Sequence, residues 1–201
     1  MNLDVDSRYH YWRGNISEAK MVLEANRRIA QGKDVAEARI KYGSVISDWI
    51  TEDFYLGNLV LLHPDGRVRF ADSSFLEFIL EEEMIMSEGG IVVVHKHYDF
   101  AEGREFSSAE VQKYSSGEKL TEKEARENLL WREILSGKNV QDEYVEMVSF
   151  DNGGFPAMEV KLNPSNHAVR AMLLRLNGRS KNFSMETVNP NNLGVFVGVA
   201  R

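Results

Sequence analysis

There is no cysteine in this chain. That removes disulfides, thiolate metal ligands and the cysteine nucleophile together, and it fits a reducing compartment. No apolar run exceeds four residues, far short of the roughly 20 needed to cross a bilayer as a helix. The opening Met1-Asn2-Leu3-Asp4-Val5-Asp6 has neither the basic start nor the apolar centre of a secretory leader. Phosphate cradles and nucleophile elbows are missing too: there is no Gly-x-x-x-x-Gly-Lys-Ser/Thr, no Gly-x-Gly-x-x-Gly after a strand and no Gly-x-Ser-x-Gly. These absences describe a soluble, cytoplasmic protein with no membrane partner and no evident nucleotide cofactor.

What remains is an ordinary globular balance, 43% apolar and 27% charged over 201 residues. Such a chain can bury a core without a staple, and a single compact domain over residues 1–201 is expected. The net charge of −7 is unevenly spread. Residues 51–100 alone carry −7, whereas residues 151–201 carry +3. An acidic middle argues against a protein that coats nucleic acid, which leaves only the basic C-terminal segment for such a partner.

The hydrophobic pattern predicts an α+β fold, with antiparallel β-hairpins packed against helices. Asn15-Ile16-Ser17-Glu18 and Asp34-Val35-Ala36-Glu37 have the form of helix starts, with Gly32 and Gly43 as stops. Two strand-like runs, 56–62 and 67–71, flank His63-Pro64-Asp65-Gly66, whose Pro and Gly suit a hairpin turn. A helix from Ser74 follows, then Gly89-Gly90 and a strand that continues through His95-Lys96-His97-Tyr98-Asp99. In the second half, Thr121-Glu122-Lys123-Glu124 opens a helix. A second hairpin is expected from Tyr144–Phe150, the turn Asp151-Asn152-Gly153-Gly154 and Ala157–Leu162. A helix over Asn166–Leu176 and a last strand over Leu193–Ala200 complete the chain. Both halves then read helices, hairpin, helix, strand, so units 1–100 and 120–201 could be similar, joined by the polar segment 101–119.

Three groups could carry chemistry. On a strand, His95, His97 and Asp99 share one face, and two imidazoles with a carboxylate can hold a divalent metal. His63, in the preceding turn, is the candidate for a further ligand. His-x-His-x-Asp resembles the metal motif of metallo-β-lactamase-type hydrolases. That motif continues with a histidine where Phe100 stands, so the resemblance covers five residues.

Asp151, Glu159 and Lys161 resemble the core of PD-(D/E)xK nucleases, in which carboxylates hold magnesium and the lysine assists water. In a simple hairpin Asp151 would stand about 10 Å from Glu159. The third group is His167, Arg170, Arg175 and Arg179, with no acid between Glu159 and Glu186. Near the helix start Asn163-Pro164-Ser165-Asn166 it could bind an anion.

No motif is complete. The sequence therefore points to a non-enzymatic binding or regulatory protein, without a cofactor, acting through contacts with another protein or with itself. The alternatives are a metal-dependent hydrolase or nuclease using one of the first two groups, and an anion or nucleic-acid binder using the third.

Overall fold

The computed structural model describes residues 7–82, 85–87, 90–115, 119–152, 154–162, 168–181 and 183–201. The first element described is β1 (Tyr9–Gly14). Asn15 then caps a 3-10 turn, Ile16–Ala19, with Glu18 reaching back to the Asn15 amide. That turn runs into α1 (Lys20–Glu24). Asn26, at φ 55°, breaks the helix, and β2 (Arg27–Ile29) follows. Asp34 lies inside the first turn of α2 (Gly32–Tyr42), where it accepts from the Gln31 amide and from both Nη atoms of Arg28. After α3 (Ser47–Thr51), the expected hairpin forms as β3 (Phe54–Leu62) and β4 (Arg67–Ala71). Its turn is closed by His63 N–H to Arg67 O at 2.9 Å, with Gly66 at φ 92°. Asp72 caps α4 (Ser73–Glu81), which ends sooner than its apolar pattern suggests.

Next come β5 (Ile85–Ser87) and β6 (Gly90–Val93). Here the first correction falls. The strand ends at Val93, and the His-x-His-x-Asp residues form a helix, α5 (His95–Phe100). The segment 101–119 holds β7 (Gly103–Ser107), bonded to β4, and α6 (Ser108–Tyr114). Then β8 (Lys119–Leu120), α7 (Glu122–Glu127) and α8 (Leu129–Ile134) follow.

The expected second hairpin is absent. Residues Lys138–Asn152 form one helix, α9, so Asp151 sits near its end instead of at a β-turn. The reason is a stripe of period 3.6: Gln141, Tyr144, Val145 and Val148 are all buried. Gln141 ties α9 to its neighbours by donating to Ala125 O and Asn128 O. The short β9 (Phe155–Pro156) and β10 (Met158–Glu159) come next.

The expected helix over 166–176 is a strand, β11 (Val169–Leu176). Its Ala-Met-Leu-Leu-Arg-Leu run favours a helix locally, but strand partners on both edges override that preference. The chain closes with β12 (Met185–Val188) and β13 (Gly194–Ala200). The second half therefore does not repeat the first.

All these strands except β8 and β9 belong to one sheet organised on the antiparallel pair β3 and β11. Each of the two is forked on its far edge. β3 meets β13 at Phe54 and Tyr55 but β4 at Leu59–Leu62. β11 meets β6 at Val169–Ala171 but β12 at Leu173–Leu176. β1 pairs with β13, so the first and last strands lie side by side.

Every residue of β3 is buried, because both sheet faces are covered. Phe54, Leu56, Val60 and Leu62 face one core, with Trp49, Trp131 and Tyr144. Tyr55, Leu59 and Leu61 face the other, with Leu76, Tyr98 and Phe196. Arg39, 1% exposed, is held inside the first core by the carbonyls of Trp49, Glu52 and Leu176 and by the Tyr144 hydroxyl. Among the described residues no helix is long and apolar enough to cross a membrane.

Candidate functional site

The two ends of β3 carry the two polar groupings of interest. At the Phe54 end, β11 and β12 bring Arg175 directly opposite Glu186. Arg175 Nη2 donates to Glu186 Oε1 at 2.6 Å, and each side chain is 21% exposed. Asn177 Nδ2 donates to the same Glu186 oxygen at 2.9 Å and to Ser184 Oγ. Desolvation works to raise the Glu186 carboxyl, but the bonds from Arg175 and Asn177 outweigh it and hold the group below the usual carboxylate range. Nearby, Asp53 accepts from the Gly178 amide and from Lys181 Nζ. Its carboxyl is lowered as well, desolvation again being overcome by those partners.

Clefts open on both sides of this network. One, about 300 Å³, runs from Arg175 and Glu186 past Lys161, Asn189 and Asn192. A second, about 230 Å³, lies between Arg13, Glu52, Arg175 and Leu193. Leu193 is 75% exposed. The loop bearing it is shaped by an Asn191 N–H to Asn189 Oδ1 bond and anchored by Ile16 N–H to Pro190 O. Arg175 Nε and Asn177 Oδ1 are buried without a protein hydrogen-bond partner, an arrangement that costs about 1–3 kcal/mol per atom.

The expected anion cluster does not gather. Arg175 joins Lys161 at the first cleft. Arg170, beside Leu62 and Val92, stands roughly 16 Å away along the strand. Arg179 is on an exposed 3-10 turn, and His167 lies outside the described residues. Glu159 and Lys161 face each other at 4.0 Å, both about 60% exposed, which is worth little as an ion pair. Asp151 belongs to a different element, α9.

At the other end of β3, His63 and His95 meet, with His63 Nε2 3.1 Å from His95 Nδ1. Asp65 Oδ1 is 2.6 Å from His63 Nδ1, while Asp65 Oδ2 accepts from Arg67 Nε at 2.8 Å. Desolvation opposes ionisation of Asp65, yet the Arg67 amide, its guanidinium and His63 together bring the carboxyl down to about 2. Tyr98 packs 5.0 Å from the His63 ring and donates to Glu105 at 2.9 Å. Burial first, then Glu105, raises the Tyr98 phenol.

His97 and Asp99 do not join this group. Residues two apart on a helix point about 200° away from each other, and His97 instead stands edge-on to Phe78 at 4.9 Å. Asp99 is exposed. Among the described residues no set of three or more His, Asp or Glu side chains is placed to hold a metal.

No family model and no curated protein sequence matches this chain. A solved structure does. It is described as "Accommodation of massive sequence variation in Nanoarchaeota by the C-type lectin fold". The likeness covers 98% of this chain and 100% of that one, with a TM-score of 0.75 at 14% identity. The two chains share that fold. At this identity the likeness is one of architecture, and the Arg175 network is described from this chain alone.

Sequence reasoning missed Glu186, Asn177, Asp53, Asn189 and Asn192. Their grouping depends on β11 pairing with both β3 and β12, and a helix at 169–176 hides it. The one usable signal was Asn189-Pro190-Asn191-Asn192, a turn-forming run just before the last strand.

Proposed function

We propose that this is a non-enzymatic binding protein, acting as one unit over residues 1–201 and recognising another protein through the clefts beside Arg175. The observation that carries the reading is the Arg175–Glu186–Asn177 network at the Phe54 end of β3, with two clefts that share Arg175. Lys161, Asn192 and Leu193 line these clefts and are exposed. They offer a cation, an amide and an apolar side chain, a mixture that suits a protein surface better than a single small anion.

The neighbouring fold is described as accommodating massive sequence variation. For this chain a separation of roles is proposed, with a packed sheet as frame and the exposed loop and cleft side chains as the part that selects a partner. The lack of cysteine suits a cytoplasmic setting.

A photo-crosslinking residue tests this directly. Placed at Asn192 in the full chain in living cells, it is expected to trap one discrete partner. Placed at Val45, which is 79% exposed and lines neither cleft, it is expected to trap none. Equal capture at both positions, or none at Asn192, overturns the proposal.

A further inference from the structure

The corner where His63 meets His95 is unused by the binding reading and independent of it. Two imidazole nitrogens face each other there at 3.1 Å. Such a distance fits a hydrogen bond or edge-to-face contact between the rings, and it also fits the bite of a metal ion held by both. Two nitrogen ligands of a tetrahedral zinc, each at ~2.0–2.1 Å, stand about 3.3 Å apart, and a narrower ligand angle shortens this to about 3.1 Å.

The ring positions depart from a linear hydrogen bond and lie close to those of two rings converging on one ion. A linear N–H···N bond of this length would hold the ring centroids about 5.4 Å apart. Two rings converging on one ion off the N···N line would hold them at about 4.9 Å. The observed separation is 5.0 Å, with the rings at 82° to each other. The nitrogens therefore do not aim along the line joining them.

The partner on the far side of His63 fits as well. Asp65 Oδ1 lies 2.6 Å from Nδ1, and the Asp65 amide N–H reaches the same nitrogen at 3.3 Å; in the tautomer that carries the ring proton on Nδ1, the Nε2 lone pair faces His95. A carboxylate on the distal nitrogen is the usual way a metal-binding histidine is oriented and made more basic. The Arg67 guanidinium comes within 3.4 Å of Nε2, but its charge is met by Asp65 and Glu105. His63 is fixed at the hinge of the β3–β4 turn. His95 is fixed at the start of α5, where β6 delivers it.

We propose that His63 Nε2 and His95 Nδ1 form a two-histidine site for a divalent transition metal of the zinc type, oriented by Asp65 and open at its remaining positions. Those positions would take water or a donor atom from another molecule. This replaces the set His95, His97 and Asp99: α5 turns His97 away from His95, and Asp99, four residues after His95, completes no three-ligand set among the described residues.

The probe is zinc chloride, titrated calorimetrically into the untagged full chain after chelator treatment. One ion per chain is expected, binding in the micromolar range and more weakly on acidification, because a proton competes for the same lone pairs. His63→Ala and His95→Ala are each expected to abolish measurable binding, and Asp65→Asn to weaken it about 10–100-fold. His97→Ala should bind as wild type does. Unchanged circular dichroism and melting in chelator confirm that each variant folds. Absence of zinc binding by the folded wild type, loss in only one of the two alanine variants, or binding that survives in the double variant would each overturn the proposal.

Discussion

The two ends of β3 solve the same problem differently. At the Phe54 end, charges are partly buried and mutually neutralised: Arg175 with Glu186, Lys181 with Asp53. Asp53 and its partners Gly178 and Lys181 come from segments more than a hundred residues apart, and Arg175 meets Glu186 only across the β11–β12 pairing. At the Leu62 end the polar groups lie in short neighbouring stretches, 63–67 and 95–105, and much of the corner is solvent-exposed. Groups whose position depends on the whole sheet suit a fixed recognition surface. Groups clustered by local turns suit a site that can be filled or left empty at little cost to the fold.

The largest expected difference is in stability. Glu186→Ala leaves Arg175 without its carboxylate and Asn177 Nδ2 with Ser184 Oγ as its remaining acceptor, and should cost about 2 kcal/mol by urea unfolding. An effect below about 0.5 kcal/mol would mean that water replaces Glu186 freely, and the contrast between the two ends would collapse.

The next difference is in acid. Glu186 and Asp53 have folded-state carboxyls below their ordinary values of about 4.3 and 3.9. Their contribution is complete above those ordinary values and is lost as pH falls through the lower folded ones. Melting temperature should be flat above about pH 5 on their account and fall below pH 4. Glu186→Gln should make that fall shallower. An identical acid slope in the variant would remove Glu186 from the account.

The smallest expected effect is at the cleft rim. Asn192→Arg should leave stability within about 0.5 kcal/mol of wild type, since its side chain is exposed. A larger loss would show that the loop before β13 is structural, not a surface free to vary.

What could be read from the sequence follows the same division. Local signals held where the structure is local. His63-Pro64-Asp65-Gly66 turned as expected, and the capping pairs Asn15–Glu18 and Thr121–Glu124 both start helical turns. The proximity of His63 to His95 was anticipated, though from a strand that is in fact a helix. Reading failed where long-range pairing decides. The 169–176 segment is helix-forming by composition, yet it is the strand that β3, β6 and β12 all need. Val145, Met147 and Ser149 alternate like a strand, yet Gln141, Tyr144, Val145 and Val148 make the stripe that packs. The Arg175 cleft was hidden for the same reason, because Arg175 and Glu186 become neighbours only across β11 and β12.

The central claim is that partner recognition belongs to the Arg175 clefts and not to the histidine corner. Its most direct test is the affinity of the cross-linked partner, once identified, for the full chain carrying Lys161→Glu with Asn192→Arg, beside a chain carrying His63→Ala with His95→Ala. The account predicts at least a tenfold loss in the first and unchanged affinity in the second, both chains being folded. Unchanged affinity in the first, or a matching loss in the second, would contradict it.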